Sequence, residues 1–157
     1  MTFKEAVSQT PNLETAWQPG LQAFRPEDKP HIKAESTRRL CGSADVDTAL
    51  LPKEPHANRW DFAIGYQHKN RKDGFIYWVE THTGSDDQIK VVLKKLEWLK
   101  TWMRRDGQHL ASFERDIIWV SSGYTLFTKG SAQVKTLAQK GIIYSGAVLR
   151  VPNERRP

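Results

Sequence analysis

The fold is decided by Arg59-Trp60-Asp61-Phe62-Ala63-Ile64-Gly65-Tyr66 and, after a short basic turn, by Gly74-Phe75-Ile76-Tyr77-Trp78-Val79-Glu80-Thr81-His82. Both runs are rich in aromatic and β-branched residues and are bounded by glycine and polar clusters, which predicts neighbouring strands joined as a hairpin. Asp61 heads the first run and Glu80 ends the second, so a hairpin would bring the two carboxylates together. Two carboxylates placed in this way can share one hard divalent cation. The alternative is that both acids are solvated or salt-bridged strand ends, because exposed Asp and Glu are common.

The composition is that of one globular domain. The chain has 157 residues, of which 38% are apolar and 10% aromatic, enough to bury a real core. Residues 1–30 are expected to be poorly structured, with at most a short helix from Leu13 to Trp17, because Pro19-Gly20 and the polar stretch 25–30 break any long element. A single α/β domain is expected over 31–152 and a basic tail over 153–157.

Membrane insertion and disulfide chemistry are not expected. No apolar stretch is long enough to cross a bilayer, and the N-terminal residues lack the pattern of a secretory signal, so we expect a cytoplasmic protein. Cys41 is the single cysteine, which excludes an intramolecular disulfide and a zinc site built from cysteines. Its thiol is expected to be buried or inert.

The charge indicates an anionic partner. The net charge is +6 and the pI is near 9.5, and nucleic acid is the leading candidate. The positive residues predicted to hold a phosphate backbone are Arg38, Arg39, Lys69, Arg71 and Lys72. The last three belong to the turn between the two strands, which places them at the opposite end of the first strand from Asp61. The alternative for this turn is a solvated hairpin tip.

The second half of the chain alternates helices and strands. Ser85 or Asp86 is expected to cap a helix that runs to Arg105. Its apolar residues fall at helical spacing and predict one core-facing stripe, formed by Ile89, Val92, Leu93, Leu96, Leu99, Trp102 and Met103. Strands are expected over 116–122 and 142–151, with a helix over 131–139 between them.

An alternating pattern over residues 44–50 predicts one further strand. It would place Asp45 and Asp47 on the same face, which makes them rival metal ligands and leaves a small-molecule enzyme as a third class of function. Gly42-Ser43 before these aspartates resembles nucleotidyltransferases, but the spacing to the aspartates is too short for that family.

The order of elements, with acids at the ends of the second and third strands, resembles the PD-(D/E)XK, restriction-endonuclease-like nuclease superfamily over roughly 35–120. The resemblance implies an α/β (α+β) fold with a mixed central β-sheet flanked by helices. In that family an Asp near one strand and an acid-x-Lys motif on the next bind Mg²⁺ and activate water, often assisted by a Glu on a preceding helix. The resemblance therefore implies that Asp61 and Glu80 are catalytic ligands of Mg²⁺ (or Mn²⁺), and Glu35 is a weak match for the preceding Glu.

His82 departs from that pattern, because the family usually has Lys at this position. Glu80 and His82 are two residues apart and project to the same side of a strand, which suits a metal ligand and a base. A neutral imidazole accepts a proton near pH 7, whereas Lys contributes mainly a fixed positive charge. We therefore predict a catalytic role for His82. The alternative is a fold kept for binding after hydrolysis was lost, and Lys90 or Lys94 of the next helix is an outside candidate to replace the missing Lys.

A metal-dependent nuclease that hydrolyses phosphodiester bonds of nucleic acid is the leading function. The alternative is a non-catalytic module of the same fold that binds nucleic acid or a protein partner, and a homodimer is also left open. Trp60 and Trp78 are expected in the core rather than stacked on bases. Ser121-Ser122-Gly123 lacks the pattern of a nucleophile elbow and is expected only to end a strand.

Overall fold

The computed structural model describes residues 1–123 and 126–153. The helices are α1 Phe3–Ser8, α2 Val46–Leu50, α3 Asp86–Arg105, α4 Gln108–Ala111 and α5 Ala132–Gln139. The strands are β1 Trp17–Gln18, β2 Ile32–Ala34, β3 Leu40–Asp45, β4 Phe62–Tyr66, β5 Phe75–Thr83, β6 Glu114–Ser122, β7 Ile143–Gly146 and β8 Leu149–Val151. Apart from Asn153, the predicted basic tail lies outside the described residues. Among those residues, no helix is long and apolar enough to cross a membrane.

A mixed six-stranded sheet forms the centre of the fold, in the order β1-β3-β4-β5-β6-β7. Within this sheet β1, β3, β4 and β5 pair antiparallel, whereas β6 is parallel to both of its neighbours. Strands β2 and β8 form a separate parallel pair. Helices pack against the central sheet, so the predicted α/β class with a mixed sheet flanked by helices is confirmed.

The hairpin of β4 and β5 divides the core into two layers. Phe62 pairs with Val79 at one end of the hairpin, and Tyr66 pairs with Phe75 at the other, as the two apolar runs predicted. Alternate residues point to opposite faces of the sheet. Ala63, Ile76 and Trp78 lie in the layer shared with α3, and the other layer contains Phe62, Ile64, Tyr77 and Val79.

Helix α3 covers one face of the sheet with the predicted apolar stripe. Five members of the stripe are buried, namely Val92, Leu96, Leu99, Trp102 and Met103, and Ile89 and Leu93 are partly buried. Ser85 is the N-cap residue, although its side chain makes no capping hydrogen bond. The helix therefore has the predicted bounds and presents the predicted face to the sheet.

The N-terminal thirty residues differ from expectation. They were expected to be poorly structured with a helix near Leu13. The helix in this segment is instead α1, which begins at a capping box formed by Thr2 and Glu5. Phe3 and Leu13 are buried in the main core, and β1 extends the central sheet. The capping box is a helix-start signal that the sequence interpretation missed.

The segment after β3 also differs from expectation. The chain leaves the sheet at Asp45, whose side-chain oxygen accepts a hydrogen bond from the Thr48 amide at 2.9 Å and so caps α2. Asp47 forms an ion pair with Arg59 at 2.8 Å. A capping carboxylate competes with strand pairing, which explains why the alternating pattern does not continue as a strand. The prediction of a strand over 44–50 that carries Asp45 and Asp47 on one face is therefore wrong.

The last strand is divided into two. The predicted strand over 142–151 is interrupted at Gly146, whose φ of +73° is a left-handed conformation that glycine adopts easily. Strand β7 then pairs with β6 in the central sheet, whereas β8 pairs with β2.

The contact between α1 and the central sheet gives a first prediction. A Cβ atom on Gly65 would lie 2.4 Å from Cγ of Phe3. Gly65→Ala should therefore lower the free energy of unfolding by about 1–3 kcal/mol through overpacking. The measurement is urea unfolding of Gly65→Ala in the wild-type and Phe3→Ala backgrounds. Gly65→Ala should lower the free energy of unfolding much less in the Phe3→Ala background than in the wild type. An equal decrease in both backgrounds would contradict the packing of α1 on β4.

Candidate active site

The two predicted carboxylates meet at one end of the hairpin. Asp61 directly precedes β4, and Glu80 lies on β5 one residue beyond the partner of Phe62. The amide of Asp61 donates a hydrogen bond to Oε1 of Glu80 at 3.2 Å. Asp61 is only 5% exposed and Glu80 is fully buried. The pairing predicted from the two runs is thus present, and the acids are buried rather than solvated. Their contacts with Lys95 agree with the alternative of salt-bridged strand ends as well.

A lysine from α3 joins the two carboxylates. The Nζ atom of Lys95 lies 3.3 Å from Oδ1 of Asp61 and makes a closer contact with Oε2 of Glu80. The Lys95 side chain is 15% exposed. One ammonium group therefore lies between an oxygen of Asp61 and an oxygen of Glu80 and contacts both.

The sequence interpretation did not name Lys95 among the residues of this site. Lys90 and Lys94 were the candidates, but both are exposed. Lys95 lies three residues after Val92 and four before Leu99, on the apolar face of the helix. A lysine at a stripe position is a signal for a buried partner, and it would have distinguished Lys95 from its neighbours.

The second oxygen of Asp61 is held by the backbone and side chain of Thr81. Both the amide and the hydroxyl of Thr81 donate to Oδ2 of Asp61, each at 3.1 Å. The hydroxyl oxygen accepts in turn from Nη2 of Arg25 at 3.2 Å, and this Nη2 lies 4.0 Å from Oδ2 of Asp61. The site therefore includes a residue from the N-terminal segment, which the sequence interpretation left out.

His82 lies beside the carboxylate of Glu80, as the two-residue spacing predicted. Its Nδ1 is 3.3 Å from Oε2 of Glu80, and its side chain is one-quarter exposed. The backbone oxygen of His82 accepts from Nε1 of Trp119 at 3.0 Å, which fixes the end of β5 against β6. His82 thus connects the buried acids to the surface.

The shared environment shifts the pKa values of these groups. Burial raises the pKa of Glu80 to about 7, and the charge of Asp61 adds to the rise. The hydrogen bond to Glu80 raises the pKa of His82, although burial opposes it. Burial favours a lower pKa for Lys95, but the negative charges of Glu80 and Asp61 outweigh it and raise the pKa above its ordinary value. Near neutral pH the cluster can therefore hold or release a proton.

The predicted phosphate-binding residues lie far from this cluster. They are Arg38, Arg39, Lys69, Arg71 and Lys72, and they surround the end of the hairpin where Tyr66 pairs with Phe75. Five residues of extended chain separate this end from Asp61, roughly 16 Å. Arg39 donates to the backbone oxygen of Gln67, and Arg71 forms an ion pair with Glu114. The structure does not bring these residues to the acids.

Three further predicted residues also lie outside the cluster. Glu35 follows strand β2 rather than lying on a helix, and its amide donates to the backbone oxygen of Val151 at 2.8 Å, so it departs from the family pattern of a Glu on a preceding helix. Trp60 and Trp78 are fully buried, which confirms that they belong to the core.

The thiol of Cys41 is half-buried rather than fully buried. Burial raises its pKa, which leaves less of the reactive thiolate at neutral pH.

The donor set of the cluster limits which metal it suits. Among the described residues, no group of three or more His, Cys, Asp or Glu side chains is arranged to hold a metal ion. Metals that require three protein ligands do not fit here. Mg²⁺ binds through one or two carboxylates and takes its other ligands from water and phosphate, so Asp61 and Glu80 fit this ion provided that Lys95 moves aside.

Comparison with known proteins gives no match for this chain, whether to a protein-family model, to a curated protein sequence or to a solved structure.

The raised pKa of Glu80 predicts how stability depends on pH. The folded protein keeps a proton on Glu80 up to about pH 7, whereas the unfolded chain loses it near 4.5, so the folded state binds more protons in this window. The free energy of unfolding should therefore fall as the pH rises from about 5 to 8, with about 3 kcal/mol coming from Glu80. His82 acts in the same direction, because its pKa is also raised in the fold.

The measurement is urea unfolding across this pH range in the presence of a chelator. Glu80→Gln should give a flatter curve than the wild type, and Glu97→Gln, at an exposed position on the same helix as Lys95, should follow the wild type. Parallel curves for the wild type and Glu80→Gln would show that Glu80 does not titrate in this range.

Proposed function

We propose that this protein is a metal-dependent nuclease that hydrolyses phosphodiester bonds of nucleic acid. One observation carries the proposal: two buried carboxylates from neighbouring strands and one lysine from the following helix converge on a single point. Burying three ionisable groups costs several kcal/mol of desolvation that an apolar core would avoid, so such clusters are typical of functional sites. The resemblance to the PD-(D/E)XK nucleases supplies the reaction class.

Each residue of the cluster has a role in this proposal. Asp61 and Glu80 would hold Mg²⁺ (or Mn²⁺), which lowers the pKa of a bound water and stabilises charge on the phosphate being attacked. Lys95 supplies the fixed positive charge that the sequence pattern lacked at His82, and it would stabilise negative charge developing on the phosphate oxygens. His82, at the partly exposed edge of the site, would orient or deprotonate the attacking water.

The distant basic residues have a separate role in this proposal, and they are Arg38, Arg39 and those of the basic turn. At roughly 16 Å from Asp61, they would hold a more distant part of the nucleic-acid backbone rather than the scissile phosphate. A cytoplasmic location, where nucleic acid and Mg²⁺ are both available, is part of the same proposal.

One observation favours the second candidate, a non-catalytic module that binds nucleic acid or a protein partner. All four carboxylate oxygens already accept hydrogen bonds from protein groups: Lys95, Thr81, the Asp61 amide and, where protonated, the His82 ring. A cluster satisfied in this way can be a stable ion pair without a metal. In that case the basic residues would bind nucleic acid, or the protein would bind a protein partner or a second copy of itself.

Metal binding separates the two candidates. Titration of Mg²⁺ and Mn²⁺ by calorimetry should give a binding signal for the wild type that Asp61→Asn and Glu80→Gln abolish, because each variant removes one of two ligands. Cleavage of mixed DNA and RNA should be lost in both variants. Absence of metal binding at millimolar concentration in the wild type would refute the nuclease and favour the binding module.

The role of Lys95 is tested by Lys95→Met, which keeps the unbranched side chain to within one heavy atom of its length and removes its charge. Cleavage should slow roughly 100-fold or more, since the lysine stabilises developing charge, while metal binding should persist or strengthen once the competing ammonium is gone. Lys94→Met is the matched control, because Lys94 is the exposed neighbour on the same helix. Equal cleavage rates for Lys95→Met and Lys94→Met would exclude Lys95 from the reaction.

A further inference from the structure

The N-terminal segment places an arginine at the opening of the acid cluster. Phe24 stacks on Phe62 with ring centroids 4.2 Å apart, and the amide of Ala23 donates to Oγ of Ser43 at 3.1 Å. The backbone oxygen of Arg25 accepts from the amides of Asp28 and Lys29, which closes a turn. The segment is thereby fixed to β3 and β4, and Arg25 projects toward Asp61.

The guanidinium of Arg25 is held on three sides. Its Nε forms an ion pair with the buried Asp28 at 2.8 Å and lies 3.8 Å from the exposed Glu27, its Nη2 donates to Thr81, and its Cζ lies 5.3 Å from the centroid of the Phe62 ring. The Arg25 side chain is nevertheless 46% exposed. Within the described part of the chain, Nη1 has no hydrogen-bond partner. An arginine that is fixed by its surroundings and still presents donors to solvent is suited to recognise an anion.

The position of Arg25 is not explained by a need to balance the charge of Asp61. Lys95 already contacts Asp61 directly, whereas Arg25 is 4.0 Å from it and forms its close ion pair with Asp28. Asp28 holds Nε, which leaves the outer edge of the guanidinium for a ligand. A phosphate group is the ligand that fits both this edge of the guanidinium and the neighbouring acid cluster.

We propose that Arg25 binds a non-bridging oxygen of a nucleic-acid phosphate next to the acid cluster. This inference rests on the proposed nuclease function and identifies a substrate-binding residue for it. It also gives the N-terminal segment a role in the site, since Arg25 reaches the cluster only because Phe24 and Asp28 anchor the turn.

The test measures binding without cleavage. Fluorescence anisotropy in a chelating buffer follows 5′-labelled single-stranded and duplex DNA and RNA oligonucleotides, and the tightest of them is then used with every variant. Arg25→Ala should weaken binding about 10-fold, as expected for the loss of a charge-assisted hydrogen bond, and should reduce the slope of log Kd against log salt concentration by about 0.7–0.9. Arg25→Lys should recover part of the affinity. Lys140→Ala removes the same charge at an exposed position at the end of α5 and should change Kd less than twofold.

A neutral phosphate provides the decisive comparison. A series of the same oligonucleotide, each carrying one methylphosphonate, should contain a position that weakens binding by the wild type but not by Arg25→Ala, because that contact is already lost. A purely structural role would lower the unfolding midpoint of Arg25→Ala and leave every methylphosphonate effect unchanged, which would overturn the proposal. Equal losses of affinity in Arg25→Ala and Lys140→Ala would also overturn the proposal, because they would mean that only the total positive charge of the protein affects binding.

The outcomes separate this inference from the proposed function. If the wild type binds and cleaves nucleic acid while Arg25→Ala binds equally well, only the role of Arg25 fails. If the wild type binds none of the oligonucleotides in the chelating buffer, the role of Arg25 fails, and the metal titration and cleavage assays decide the nuclease separately.

Discussion

The site depends on one ammonium group that satisfies two buried carboxylates. Lys95 can reach Asp61 and Glu80 only if β4 and β5 keep their register and α3 keeps its rotation on the sheet. A slip of one residue in β5 would turn Glu80 to the opposite face, and a rotation of α3 would expose Lys95 and bury Lys94. The cluster thus couples the hairpin to the helix that covers it.

This arrangement is costly for stability, which is why it points to function. Desolvation of buried ions often exceeds what their attraction returns, and an apolar group of similar size would serve the core as well. The neighbouring layers show that the chain can fill its interior with large apolar side chains, since Trp60, Trp78 and Trp102 are all fully buried. Glu80 is buried among such residues with a pKa raised to about 7, so its proton is exchangeable near neutral pH. In the proposed function, the same position holds a divalent cation once the ammonium has moved.

The sequence predicted the parts of this structure that depend on periodicity. The hairpin and α3 follow from alternating and helical apolar patterns, and these two elements alone bring Asp61, Glu80 and His82 together. The helical phase of Lys95 marks it as a residue of the core-facing stripe, but its partners depend on tertiary packing, and Arg25 could not be found from periodicity at all. Lys95 differs from Lys94 only in helical phase, and Arg25 lies in a proline-containing segment without periodicity, fixed to the sheet by a stacked phenylalanine and a buried aspartate. Asp45 shows the opposite error, since a local capping hydrogen bond overrode an apparent strand pattern.

The most direct test of the account is a crystal structure of the protein soaked in Mn²⁺, with anomalous diffraction recorded at the manganese edge. The account predicts an anomalous peak within bonding distance of Oδ1 of Asp61 and Oε2 of Glu80, with the Lys95 ammonium displaced from its position between them. A map without a peak at these oxygens, and with Lys95 still bridging both carboxylates, would contradict the account and leave the cluster as a structural ion pair.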